Sequence, residues 1–504
     1  MRDPVLLGLD LGTSAAKLVA FDPEGNALAS ARRAYAVRNP APGRFELDAD
    51  AVWQAAASCL RDVTARCFAR AIRALCLSVQ GEAIVPVDRD GRCLAPAPIS
   101  LDRRGEAAVH RLAERLGETA IRHTTGQPVS SLPSLPKLMW WREHEPALHA
   151  ATWKYLCFGE FALLRLGLAP AIDRTMAART MAYDIARGAW WPEALEAAGI
   201  EPHRLAPILP AGTVVGTIAP DIAAPLGLPA GVAVVLGGHD QPMGALGAGV
   251  LDPGSALYAI GTTEVIVAAL RDFAPALPAR GIPCYPHVAP EGFVALAGSQ
   301  SGGRVLHWYR SVTATGGGDA AADEDVAALL EEVEDSRPGG PILLPHFAGT
   351  GSVLGDEGAS AALLGLRFET RRGDILRALL EGVTYEQAIG IDALDAAGVG
   401  PGSLRAVGGG ARSPRWLQMK ADILGRTIEH ALVEDAPCLG AAMLAGQAIG
   451  LHGSLREAAD RVRVTMRYRS RPEHHAMHQP RRELYRALYE ALRPHAAQLR
   501  VAAG

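Results

Sequence analysis

The apolar run Val5-Leu-Leu-Gly-Leu-Asp10 stops at a polar turn, Gly12-Thr13-Ser14, and Lys17-Leu-Val-Ala-Phe21 then resumes an extended pattern before Asp22-Pro-Glu-Gly25 turns the chain again. This predicts a β-hairpin. P-loop and dinucleotide folds place their glycine turn between a strand and a helix, so the hairpin argues against both. The Ala-rich segment Asp50–Arg70, with Trp53, predicts a helix, and Ala71–Val79 predicts a strand ending at Gln80-Gly81-Glu82. Alternating helices and strands point to an α/β sheet.

The pattern restarts near Gly231. Val232–Leu236 reads as a buried strand, Gly237-Gly-His-Asp240 ends it, and Pro242–Gly249 begins a helix of small residues. A second extended–turn–extended unit follows: Ser255–Ile260, Gly261-Thr262-Thr263 and Glu264–Ala268. Two halves that open alike predict an internal duplication. The boundary is expected near Gly249–Pro253, giving domains 1–249 and 250–504, and Thr313–Asp325 is expected to be a surface loop of the second. At 504 residues the chain exceeds the usual domain size of about 50–250 residues.

Composition removes several function classes. Lys+Arg 50 against Asp+Glu 54 leaves a formal charge of −4, which is no footprint for nucleic acid or an anionic membrane. The 7 cysteines are scattered and never spaced Cys-x-x-Cys, so neither a disulfide framework nor a zinc site is expected. No leader pattern opens the chain, and no apolar stretch reaches the roughly 18–20 residues of a membrane helix, so the expected location is cytoplasmic. Basic residues are nearly all Arg, which singles out Lys17, Lys137, Lys154 and Lys420.

The turns carry candidate chemistry. Asp10-Leu-Gly12-Thr13-Ser14 offers a carboxylate, a glycine that admits close backbone approach and two hydroxyls. A carboxylate beside phosphates makes sense with an intervening cation such as Mg²⁺. An ordinary hairpin turn would look the same, but two such turns in two similar halves could grip one nucleotide triphosphate. Val407-Gly-Gly409-Gly410-Ala-Arg-Ser413 reads either as a tight turn or as a loop admitting a ring or phosphate. Asp240 stands at the carboxyl end of a strand, where open α/β sheets place ligands. It is either a helix cap or a carboxylate able to accept a hydroxyl proton, and His239 before it reads as structural. Gln80-Gly81-Glu82 is either a solvated loop or a set of convergent groups for a polyhydroxylated ligand.

Together these segments resemble the FGGY carbohydrate kinases of the glycerol kinase and xylulokinase type. The resemblance is carried by Gly8–Lys17, by Val52-Trp-Gln54 after Glu46 and Asp48, and by Ser134–Trp140 with Glu143-His144. In the second half it rests on Ala361–Leu366 with Asp374–Glu381, and on Gly408–Trp416 with Leu439-Gly-Ala-Ala442. It implies two duplicated actin-like, ribonuclease H-like ATPase domains with a nucleotide and sugar cleft between them, closing over the substrate. It implies ATP and Mg²⁺ as cofactors, and a small-molecule sugar or polyol as partner, with at most a second copy of the chain as a homodimer.

By the same resemblance Asp240 is the general base and Asp10 approaches the metal. Gly12, Thr13, Ser14, Lys17, Gly261, Thr262 and Thr263 surround the phosphates, and Gly303, Gly409, Gly410 and Ser413 line the nucleotide site. Gln80, Gly81, Glu82, Asp102, Asp240 and Gln241 face the sugar. Xylulokinases usually carry Gln-Met-His-Gly where this chain has Gln80-Gly81-Glu82-Ala83, and glycerol kinases carry Gln-Arg-Glu-Thr. Asp240-Gln241 is glycerol kinase-like, Ser100 replaces a common Trp, and overall length is closer to xylulokinases. The expected acceptor is a pentulose, D-xylulose first, with glycerol or another polyol as alternative. Glu82 is expected to stand uncompensated and to bind two substrate hydroxyls, with Gly81 leaving room for a longer chain. A non-catalytic nucleotide switch and a phosphatase or NTP hydrolase are the rivals on this fold.

Overall fold

The computed structural model describes residues 3–67, 71–313, 333 and 339–502. Val5–Leu11 and Ala15–Phe21 are strands buried almost throughout, which is why they read as continuous apolar runs rather than alternating ones. They pair antiparallel from Leu6↔Phe21 to Leu11↔Ala16, and the Gly12 N–H closes the turn onto Ala15 O at 3.1 Å. The helix Ala49–Arg66 is capped by Asp48, whose carboxylate accepts from the Asp50 and Ala51 N–H groups at 3.1 Å. It stops short of the expected Arg70, and residues 68–70 lie outside the described residues.

The first half forms a six-stranded sheet in the order Val214–Thr217, Ala233–His239, Ile72–Val79, Val5–Leu11, Ala15–Phe21, Ala27–Ala34. The second forms a seven-stranded sheet in the order Cys284–Pro286, Phe293–Ser299, Glu264–Leu270, Ser255–Ile260, Ser403–Val407, Thr427–Ala431, Val464–Tyr468. Both have the same plan. Three antiparallel strands are extended by two parallel strands and one further antiparallel strand, and the second sheet adds one more edge strand. Duplication is therefore visible in strand order as well as in the two Gly-Thr turns. The actin-like architecture expected from the family resemblance is present.

In each half the fifth strand of this plan leads to a helix, Asp240–Gly247 in one and Ala436–Ala448 in the other, and the two helices pack together. The contact is backbone to backbone. A Cβ on Gly247 would lie 1.9 Å from Ala436 O, and one on Gly440 would lie 2.0 Å from Met243 O. Gly8 of the first hairpin makes a similar approach, its Cβ position 2.0 Å from Cys438 O. These glycines let the second half's helix lie directly against the first half's sheet.

All four lysines have partners inside the fold. Lys17 meets Asp435, Lys137 Nζ donates to Leu132 O at 2.6 Å, and Lys154 Nζ donates to His203 O at 2.6 Å and Leu205 O at 2.7 Å. Lys420 is fully buried, 2.8 Å from both oxygens of the equally buried Glu264, and its ammonium lies 4.3 Å from the Trp416 ring centre. Glu264 is the first residue after the second turn, so this pair pins the returning strand of the second hairpin to the helix Pro414–Leu424. The expected loop Thr313–Asp325 lies, beyond Thr313, outside the described residues. No described helix is long and apolar enough to cross a membrane, and the seven cysteines are unpaired.

Removing one partner of a buried pair leaves an uncompensated charge, which costs about 3–5 kcal/mol. Lys420→Met is expected to lose that much in denaturant unfolding, and Lys420→Met with Glu264→Leu to recover most of it. Equal loss in the single and double variants would contradict the role given to the pair.

Candidate functional site

Asp10 sits near the end of the first strand, in register with Lys17 on one neighbour and Ser78 on the other. Ser78 Oγ donates to Asp10 Oδ1 at 2.8 Å. Lys17 Nζ reaches across to Asp435 Oδ2 at 3.1 Å, and Asp435 also caps the helix Ala436–Ala448 by accepting from the Cys438 N–H at 3.1 Å. Burial, then the charges of Asp435 and Asp240, push the Asp10 carboxyl well above the usual carboxylate range. Negative charge thus converges here with Lys17 as counter-charge, which is the electrostatic condition for a cation.

The turns flanking this cluster are open. Thr13 is half-buried and Ser14 exposed, Gly261, Thr262 and Thr263 are exposed, and Gly408 and Gly409 are exposed. The Gly303 N–H donates to Gly261 O at 2.8 Å, and Gly410 packs so tightly on Ile260 that a Cβ would lie 2.3 Å from Ile260 Cγ2. The Ser301–Arg304 segment and the glycine loop therefore both flank the second turn. Ser413 caps the helix Pro414–Leu424, its Oγ accepting from the Trp416 N–H at 3.2 Å.

A group of buried polar side chains adjoins the cluster. Gln80 Nε2 donates to Gly12 O at 3.1 Å, joining this group to the first turn, while Gln80 Oε1 has no partner within the protein. Asp240 is the first residue of its helix. It does not cap that helix, because His239 holds the cap position and makes no side-chain cap bond. Its side chain is 22% exposed, and burial followed by the nearby Glu82 charge pushes its carboxyl up to about 7. Gln241 beside it is half-buried.

Three expectations need correction. Glu82 is not uncompensated: the guanidinium of buried Arg179 forms an ion pair with it and donates to Gln127 Oε1 at 2.7 Å. Gly81 does not leave room for substrate, since a Cβ there would lie 2.8 Å from His239 Nε2, so the missing side chain admits the imidazole. Asp102 offers no free carboxylate. It is fully buried and accepts from the Phe45 N–H at 2.8 Å, the Arg104 N–H at 3.0 Å and Arg104 Nε at 2.7 Å, while Arg104 also pairs with Glu46. Its carboxylate holds a loop together, and sequence spacing cannot distinguish that from a ligand contact.

Among the described residues, Glu82 and Met181 are the non-glycine positions with positive φ, each 64°. Glu82 is one member of the Glu82–Arg179 pair and Met181 lies two residues from the other, and such strain persists where surrounding structure over-determines it, commonly at ligand sites.

The N-terminal domain of the FGGY family of carbohydrate kinases matches residues 5–247, and its C-terminal domain matches residues 256–449. The chain belongs to the FGGY family of carbohydrate kinases. The kinase is 29% identical to the xylulose kinase of Escherichia coli strain K12 over 97% of this chain and 99% of that one. It is 28% identical to an autoinducer-2 kinase of Yersinia enterocolitica over 96% of this chain and 94% of that protein. The crystal structure of xylulose kinase from Rhodospirillum rubrum superposes with a TM-score of 0.85 at 27% identity, covering 98% and 99% of the two chains.

Three residues of this cluster and the polar group beside it were not singled out from sequence: Arg179, Gln127 and Asp435. Asp435 left a signal, because Asp435-Ala-Pro437 opens its helix as Asp240-Gln-Pro242 opens the other. The rest are brought in by distant segments and carried no local mark.

Glu82→Gln and Arg179→Met each strand one partner of a buried pair and are each expected to cost about 3–5 kcal/mol in chemical denaturation. The double variant should lose less than the sum, as coupled neighbours do. Additive losses would mean that the two side chains stabilise the pocket independently.

Proposed function

We propose that this carbohydrate kinase transfers the γ-phosphate of ATP to a hydroxyl of a pentulose, D-xylulose being the named candidate, in the cytoplasm. Residues 1–249 form the half that carries the sugar-binding groups and the first phosphate hairpin, and 250–504 the half that carries the second phosphate hairpin and the adenosine motif. The observation that carries the reading is that Asp10 lies within electrostatic reach of both Asp435 and Asp240, with Lys17 as counter-charge, at the helix–helix contact and beside a buried group of polar side chains. Full-length similarity to xylulose kinases supports the substrate class. The Arg179–Glu82 pair and the unpartnered Gln80 Oε1 and Gln127 Nε2 supply donors and acceptors suited to several adjacent hydroxyls.

In this reading Asp240, ionised, accepts the proton of the substrate hydroxyl as its oxygen bonds to the γ-phosphorus and the bond to the leaving ADP oxygen breaks. Gln80, Glu82 and Gln241 orient the sugar. Thr13, Ser14, Thr262 and Thr263, with the backbone of Gly12 and Gly261, receive the phosphates, and Lys17 adds positive charge. Gly303, Gly409, Gly410 and Ser413 border the nucleoside. Mg²⁺ fits beside Asp10, because a buried carboxyl crowded by Asp435 and Asp240 is relieved by a cation. When bound, the ion neutralises phosphate charge. Such a site favours a kinase over a pure nucleotide switch, which has no use for a pocket of hydroxyl-binding groups.

Asp240→Asn is expected to lower the catalytic rate about 10²-fold or more with nucleotide binding retained; turnover near that of the unaltered enzyme would reject the base. Because the base must be ionised and its carboxyl lies at about 7, turnover should fall as pH drops through that value. A rate flat well below neutrality would contradict it. Asp10→Asn should raise the Mg²⁺ concentration needed for half-maximal turnover while the KM for sugar stays put. Assays over D-xylulose, L-xylulose, D-ribulose, ribitol, erythritol and glycerol test the acceptor, and glycerol as best substrate would replace the pentulose reading.

A further inference from the structure

His239 lies between Asp240 and a residue of the other half. Its ring Nε2 is 3.3 Å from Asp240 Oδ1, and its Nδ1 is 2.7 Å from the hydroxyl of Tyr285. Both rings are buried, and the His239 N–H donates to Thr175 Oγ1 at 2.8 Å, fixing the backbone on which the imidazole is mounted. Tyr285 belongs to Cys284–Pro286, the edge strand of the second sheet. That strand is joined to the first half by the Cys284 N–H donating to Gly126 O at 2.8 Å, a contact so close that a Cβ on Gly126 would lie 1.9 Å from Cys284 O. The Arg179 guanidinium lies 5.4 Å from the Tyr285 ring centre, which places the phenol on the same group that holds Glu82.

We propose that His239 is a positioning residue for Asp240, and that Tyr285 of the second half fixes its tautomer, so that the base is aligned only while the two halves are together. The inference rests on Asp240 being the base.

Burial and the Arg179 charge lower the affinity of His239 for a second proton, so the ring is neutral and carries one N–H. The Tyr285 hydroxyl keeps its proton, since burial raises its pKa well above the usual value. If Tyr285 donates to Nδ1, the N–H is on Nε2, the nitrogen 3.3 Å from Asp240 Oδ1. The opposite tautomer would set a lone pair against an ionised oxygen. Removing the phenol hydroxyl removes what selects between them. Gly81 belongs to the same device, because any side chain there would displace the imidazole.

The test compares Tyr285→Phe, His239→Leu, His239→Gln and Asp240→Asn by steady-state kinetics with D-xylulose and ATP, after checking each fold by circular dichroism. Tyr285→Phe and His239→Leu are expected to lose on the order of 10-fold to 10²-fold in kcat, the cost of a misaligned group, with KM for sugar and ATP little changed. His239→Gln, whose amide N–H reaches near the Nε2 position, should recover most of that loss. Full kcat in Tyr285→Phe and His239→Leu while Asp240→Asn is inactive would overturn the positioning role and leave the base intact. A rise in KM for sugar at constant kcat would also overturn it, making the pair a pocket wall. An active Asp240→Asn would remove the base and this inference together. If His239→Leu fails to fold, Tyr285→Phe and His239→Gln decide the matter, since both conserve shape.

Discussion

The site depends on one contact, the backbone packing of Asp240–Gly247 against Ala436–Ala448. Glycines at 247 and 440 bring main chains to distances that any Cβ would block, and Gly8 does the same for the first hairpin. The carboxylates at or just before the two helix starts, Asp240 and Asp435, are thereby drawn toward Asp10. Charges gathered this way repel, and the repulsion adds to burial in raising the Asp10 carboxyl. Lys17 relieves it in part.

The duplicated fold explains why the two halves contribute different chemistry from equivalent places. After the fifth strand of the first sheet, Asp240 opens its helix without capping it. At the matching place in the second half, Asp435 caps its helix and pairs with Lys17. One position therefore leaves its carboxylate free of the helix cap, while its counterpart fastens the halves together. The second hairpin is anchored from beneath by Glu264 and Lys420, leaving its turn exposed.

The buried polar groups beside Asp240 are arranged by one buried cation. Arg179 pairs with Glu82, donates to Gln127 and lies against Tyr285. A guanidinium can serve three neighbours at once because its donors fan out in a plane. Its charge adds to burial in keeping His239 neutral.

Hairpins, the Gly-Thr turns, the duplicated plan and the placing of Asp10 and Asp240 were all legible in the sequence. They follow from short-range rules: apolar runs of strand length, glycine at turns and a repeat of the same order. The resemblance to FGGY kinases rested on that ordered series, and both family domains match. The sequence left the partners of those residues open. Asp102 and Glu82 looked like free carboxylates, yet the fold gives Arg104 to one and Arg179 to the other. Gly81 looked like space for substrate, and the fold fills that space with His239. Arg179 is 97 residues from Glu82, and Tyr285 is 46 residues from His239. Local periodicity records which residues face a core or a turn. Which charge meets which depends on how the sheets and their helices pack, and only the tertiary structure decided that.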